Sequence, residues 1–401
     1  MSLSRSQKLA LLVAGGLLLR LWWALTTPGL TFDIDSYVLV GRALAHDPLH
    51  VYGVANPPGA FRWPYPPGYL PWLAISHWAA AHGVLPFRLI VVAPAIVADG
   101  ALALLVWAGL GSAGRSEGER LAGAALVAIG PSFALTSGLH GQIDAVAILP
   151  CVAALLVWER GGARRALVAG LLVGLGAAFK TPAGLTGLAL LVTVRSRREA
   201  LMLCGMACAV PLVLFAPFAV ADPSGVARGL RYQGVPGLGG LSLFVQPGFA
   251  RVFLESQLAT QPSAALRWLQ HDGGAIVLAG LAALAVVARR RRLGARDAAA
   301  LLWTGFLVVD TSFAFQYVVS VVPFLLLAGR GRGAAWLQGV LVIPAVLYYL
   351  GPWPGWADTA VALYVALMML AWASCAWMLA TQLRGARRVV RSTARPEPVT
   401  A

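Results

Sequence analysis

Asp33 and Asp35 form a D-x-D pair in the stretch TFDIDSYVLVGRALAHDPLHVYGVANPPGAFRWPYPPGYLPW, residues 31–72, with Arg42, Arg62 and Tyr65 downstream. Further along, lone polar residues punctuate apolar runs: His140, Gln142 and Asp144 in GLHGQID, and Lys180 in FKTP. Arg228, Arg231 and Tyr232 follow in ARGLRY, and Gln316 with Tyr317 in AFQY. Ionisable groups beside lipid are costly and are functional candidates by default. A carboxylate facing cations suits one kind of reaction. The carboxylate takes the proton of an incoming hydroxyl as general base. Arg and Lys stabilise a departing phosphate, which needs positive charge more than it needs a proton. A single attack inverts the reacting carbon, so one essential carboxylate suffices where a glycosidase typically uses two.

Plainer readings stand beside these. Asp35, preceding the run SYVLVGRAL, has the form of a helix cap. Asp33, with Asp35, offers oxygen ligands to a divalent cation such as Mg or Mn, although the chemistry above requires no cofactor. The aromatics of FRWPYPPGYLPW fit an interfacial belt, yet a belt has no need of Arg62 among them. Asp144 fits a helix cap, and Lys180 fits a helix C-terminus or a snorkelling position.

The elements that must position these groups follow from composition. The chain has 401 residues, 59% hydrophobic and 12% charged, against about 25% charged in soluble domains. Mean hydropathy is +0.75. The fold class is an all-α integral membrane protein, because a spanning helix satisfies its own backbone. The net charge of +15 sits mostly in short loops between apolar runs, as topology determinants do, and nucleic acid is set aside. Cys151, Cys204, Cys208 and Cys375 fall in apolar runs without metal-ligand spacing.

Arg5 and Lys8 precede a first span near 9–27 and place the N-terminus inside. Further spans are read at 89–110, 121–137, 143–158, 166–179, 183–194, 199–220, 274–288, 298–309, 314–328, 334–350 and 359–382, about twelve (10–13) in all. Residues 69–85 read as a re-entrant or interfacial helix. One membrane domain thus covers 1–385, with outer loops at 28–88 and 221–272 and a basic cytoplasmic tail at 386–401. Both termini face the cytoplasm, and the polar outliers collect on the outer face of a plasma-membrane protein. No internal repeat is evident, which weakens a transporter or flippase as the alternative.

The motifs D-I-D-x-Y at 33–37, P-L-x-V-Y at 48–52 and the Arg-x-Pro-Tyr-Pro-Pro-like run at 62–67 resemble the first outer loop of GT-C glycosyltransferases. They look like GPI mannosyltransferase I and bacterial polyprenol-phosphate-mannose-dependent relatives. G-Q-I-D at 141–144, F-K-T-P at 179–182 and F-Q-Y at 315–317 resemble further segments of that superfamily. The Trp63-Pro64 pair departs from a plain R-Y-x-P. The resemblance implies a GT-C-like bundle with a catalytic first outer loop and an inverting transfer of hexose, most simply mannose. The donor would be a polyprenyl phosphate, and the acceptor an extracytoplasmic lipid-linked glycan, glycolipid or protein. It implies Asp33 as base, with Asp35 supporting the acceptor or a metal. Arg62, Lys180 and Arg231 would meet the donor phosphate, and Tyr65, His140, Gln142, Asp144, Gln316 and Tyr317 would line the cavity.

Overall fold

The computed structural model describes residues 3–232, 234–255, 260–351 and 355–393. Every regular element among them is helical. Helix α1 (Arg5–Thr26) starts where a capping box predicts, with Ser4 Oγ accepting from Gln7 N and the Gln7 side chain accepting from Ser4 N. Three helices follow: α2 (Thr31–His46), α3 (Val51–Ala55) and α4 (Leu70–Ala81). Next come α5 (Phe87–Ser112) and α6 (Glu117–Ala128), the latter opened by the Ser116–Glu119 capping box. Gly130-Pro131 breaks the run; a single turn α7 (Pro131–Phe133) leads into a π-helical turn, Ala134–His140.

The chain continues through α8 (Asp144–Arg160), α9 (Arg165–Phe179), α10 (Leu185–Leu191) and α11 (Arg197–Ala221). The second outer segment holds α12 (Pro223–Leu230), α13 (Ser242–Val245) and α14 (Arg251–Leu254). Then come α15 (Ala264–Arg290), α16 (Ala295–Val309), α17 (Val318–Leu327), α18 (Gly331–Leu350) and α19 (Ala357–Thr393).

Among the described residues, seven helices are long and apolar enough to cross a bilayer: α1, α5, the run Glu117–His140, α11, α15, α18 and Ala357–Arg384 of α19. The other five expected spans coincide with α8, α9, α10, α16 and α17, of 17, 15, 7, 15 and 10 residues. Each is shorter than the roughly 20 residues a full crossing takes. Helix α15 begins earlier than the expected 274, because Ser263 Oγ caps it by accepting from Leu266 N. Helix α19 continues to Thr393, so the first part of the basic tail is helical; residues 394–401 lie outside the described residues.

The segment expected as the first loop is folded. Tyr37, Tyr52, Trp63, Tyr69 and Leu73 form an aromatic core of their own with Ile143 and Val226. Trp63 is fully buried, its backbone N–H donating to Asn56 Oδ1 (3.1 Å) and its carbonyl accepting from Asn56 Nδ2 (2.9 Å). The Trp63-Pro64 departure therefore has a structural cause: the extra aromatic supplies this core.

The two ends of the bundle differ. At one end the basic connections mesh: Arg296 bonds Glu159 (2.7 Å) and Ser112 (3.0 Å), Arg330 pairs with Asp297 (3.3 Å), and Arg289 donates to the Val192 and Val194 carbonyls. At the other end lie the folded first segment, the π-turn and the turn before α17. Between them, Arg20 of α1 is buried against Asp99 of α5 (2.5 Å). Pro131 has no N–H to give Val127, and Arg20 Nη2 supplies that carbonyl at 2.9 Å while Nη1 bonds Gly16 O (2.8 Å) and Ala128 O. Thus α1 is clasped to the broken end of α6.

Candidate active site

The π-turn delivers His140. It packs against α1 so closely that a Cβ on Gly138 would lie 2.9 Å from the Arg20 Cα. Arg88, at the start of α5, holds the turn's far side by donating to Gly138 O (3.2 Å) and Leu139 O (2.8 Å). Gly141 then takes φ +90°, a left-handed turn that glycine favours, and α8 begins at Asp144. π-turns inside helical runs are frequent at functional sites.

Asp33, in the first turn of α2, meets this turn. Its Oδ2 accepts from His140 Nε2 and from Gln142 Nε2 (2.6 Å). The Tyr349 hydroxyl, on α18, sits 2.7 Å from His140 Nδ1, fixing the ring from its other side. Gln142 Nε2 also reaches the Tyr65 hydroxyl (3.3 Å). Its Oε1 accepts from Lys180 Nζ (3.1 Å), and the same ammonium pairs with Asp144 Oδ2 (2.9 Å). Lys180 stands just past α9 in extended backbone, over the rings of Tyr65 (5.1 Å) and Tyr317 (5.7 Å). One continuous chain therefore runs Tyr349–His140–Asp33–Gln142–Lys180–Asp144.

Burial by itself raises the Asp33 pKa. The His140 hydrogen bond and charge, the Gln142 N–H and the Lys180 charge outweigh it and hold the carboxyl below its ordinary value. Asp33 is thus ionised at neutral pH and able to accept a proton.

Other expected residues lie elsewhere. Asp35 is exposed. Helix α2 begins at Thr31, so Asp35 is in its second turn and caps nothing. Two positions along a helix is roughly 200° of rotation, which turns Asp35 away from Asp33. The pair cannot close on one cation from that helix, and no cluster of three His, Cys, Asp or Glu exists among the described residues.

Arg62 stacks on Phe32 (4.2 Å) and donates to Phe32 O (3.3 Å) and Ser36 Oγ (3.4 Å), beside the Asp33 turn rather than on its carboxylate. Arg231 is exposed after α12. Gln316 is half-buried and its side chain makes no hydrogen bond among the described residues, while its neighbour Tyr317 faces Lys180.

Sequence reasoning missed Tyr349, Arg88 and Asp310. Phenylalanine at Tyr349 would leave His140 Nδ1 unpartnered. Losing one such hydrogen bond costs about 1–2 kcal/mol, so the catalysed rate should fall roughly tenfold; an unchanged rate would remove Tyr349 from the chain. Asp310 lies in the turn after α16, where Ser312 N donates to its Oδ1 (3.2 Å) and Leu241 N to its carbonyl (3.1 Å). Burial pushes its carboxyl up to about 6, against opposing backbone N–H bonds. A carboxyl raised in the folded state adds stability below its unfolded pKa and loses it as pH rises through about 6. Asparagine at 310 should therefore stabilise the protein well above that pH, by on the order of 3 kcal/mol. Thermal unfolding across pH checks this; the gain should vanish below the ordinary carboxylate range.

The sequence model described as Glycosyltransferase family 87 matches residues 63–313, more than half the chain. The match includes His140, Gln142, Asp144 and Lys180, and starts after Asp33. Curated proteins give no match. With its apolar spanning helices and a carboxylate–cation chain at one end, the protein belongs to glycosyltransferase family 87, a family of the GT-C type.

Proposed function

We propose that the protein is an inverting glycosyltransferase that moves a hexose, mannose, from a polyprenyl phosphate to an extracytoplasmic acceptor. The observation that carries this reading is a single side chain, Gln142, bonded at once to Asp33 (2.6 Å) and to Lys180 (3.1 Å). Base and cation are thereby held a side chain's length apart.

In this reading the acceptor hydroxyl attacks the anomeric carbon on the face opposite the phosphate. The new carbon–oxygen bond forms as the bond to phosphate oxygen breaks. Asp33 Oδ1 takes the hydroxyl proton, and the freed lipid phosphate carries its electron pair to Lys180. In the resting site Asp144 neutralises Lys180, so the incoming phosphate competes with Asp144 for the ammonium. Tyr65 and Tyr317 flank that position, and Arg62 stands beside the α2 turn.

The meshed arginines at the opposite end support placing it in the cytoplasm and the site outside a plasma membrane. With both termini inside, α8, α9, α10, α16 and α17 would complete about twelve crossings as short or tilted helices. A lipid-linked glycan, a glycolipid or a secreted protein would then be the acceptor.

The test is transfer of radiolabelled mannose by membranes containing the protein. Label should pass from polyprenyl-phosphate-mannose to product, and not from a nucleotide-linked mannose. Transfer from the nucleotide sugar alone would overturn the donor assignment.

A further inference from the structure

The basic end of the bundle is not evenly built. A cleft of about 800 Å³ opens there among the ends of α8, α9, α10, α15 and α16. Four arginines line it: Arg165, Arg195, Arg289 and Arg292. Arg165 is neutralised by Glu199 (2.6 Å), and the cleft's one carboxylate, Glu159, is committed to Arg296 (2.7 Å). Among the described residues Arg289 bonds the Val192 and Val194 carbonyls and no carboxylate, which leaves its charge uncompensated there. Arg195 and Arg292 are exposed and their side chains form no ion pair among the described residues, although the Arg195 backbone N–H donates to Glu199 Oε2 (2.9 Å). Three net positive charges therefore line one cavity.

Arg292 carries a second signal. It alone among the described non-glycine residues adopts positive φ, at +53°. The position follows the end of α15, where glycine is the residue of least strain. An arginine kept at such a place has given up backbone comfort for its side chain.

The surroundings select the anion's source. Helix α11 leads away from Arg195 and α15 arrives at Arg289, and both turn apolar side chains outward: Leu201, Leu212 and Val213 on one, Leu278 and Val286 on the other. These are lipid-facing walls, so the cleft lies at the bundle's margin, where a headgroup would reach the arginines while its acyl chains follow Leu201 and Val286. We propose that the cleft binds the phosphate headgroup of an anionic phospholipid from the leaflet at the basic end. Guanidinium groups suit this role, since they match phosphate geometry and are readily partly desolvated.

The experiment is thermal unfolding of the full chain in phosphatidylcholine nanodiscs, with and without phosphatidylglycerol. Phosphatidylglycerol should raise the wild-type Tm by a few degrees. The double variant Arg195→Gln/Arg292→Gly should lose most of that rise, whereas Arg198→Gln, exposed nearby but outside the cleft, should keep it. Equal loss in Arg198→Gln would reduce the effect to general surface charge and overturn the site. Arg292→Gly alone should hold or raise Tm in pure phosphatidylcholine, because glycine relieves the strain. A fall there would mean that Arg292 supports the fold, and would also overturn the proposal. Pyrophosphate added without anionic lipid should give no comparable rise; if it does, the ligand is a soluble phosphate and the lipid assignment fails.

Discussion

Asparagine at Asp33 is expected to lower kcat for glycosyl transfer about 10³-fold, the usual reach of general-base catalysis, with KM and Tm close to wild type. The amide preserves the shape of the carboxylate and can still accept from His140 or Gln142, so the π-turn keeps its partner. What it loses is the charge that takes the acceptor's proton. Asp35→Asn is the matched control. Its side chain is exposed on the far side of α2, and transfer should stay within about twofold, the span of an ordinary surface substitution. Initial rates with labelled donor separate the two. Comparable turnover in Asp33→Asn would remove Asp33 from the role of base, and a large loss in Asp35→Asn would restore the D-x-D as a working pair.

Alanine at Asp99 should be the most damaging single change to the fold, at about 3–5 kcal/mol, because it leaves Arg20 buried and unpaired. Arg20 is 1% exposed and Asp99 0%, so no water can take over the lost partner. Replacing both, as Arg20→Met/Asp99→Leu, should recover at least half of that loss, since an apolar pair of similar volume avoids the desolvation cost. The double variant still frees the Val127 and Ala128 carbonyls that Arg20 holds, and with them the run into the π-turn. Its transfer rate should therefore remain depressed after its stability has largely returned. Unfolding in detergent alongside the transfer assay reads both. Full recovery of rate together with stability would make Arg20 a packing residue only.

Much of this site can be seen in the primary structure, because polar residues in an apolar chain stand out. Asp33, Tyr65, His140, Gln142, Asp144, Lys180 and Tyr317 were all singled out that way, and the fold brings them together. Asp35 stands apart from this group for a reason also present in the sequence. SYVLVGRAL reads as helix, and a helix separates residues two apart, so the D-x-D spacing and the helical reading could not both hold. Tyr349 left no such trace: in VLYYL it looks like an aromatic at a membrane boundary, and only tertiary packing brings it to His140 across 209 residues. Arg20 and Asp99 were visible as charges inside spans, but their pairing, 79 residues apart, is a fact of three dimensions. The first segment's helices were hidden by its prolines, which suggest a loop. Those prolines sit at helix starts and turns, as Pro67 and Pro71 do, and leave the aromatics free to form a core.

The long reach of the His140–Tyr349 bond has a consequence for biogenesis. A polytopic chain enters the bilayer in order, and Asp33 is among the earliest residues to arrive on its side of the membrane. Its supports come in instalments: His140 and Gln142 with the π-turn, Lys180 after α9, Tyr349 only with α18. Until that helix is threaded, the imidazole beside Asp33 has no second partner. Half-inserted chains on the ribosome thus carry the carboxylate without its full setting, and transfer should reach its full rate only once α18 is in place.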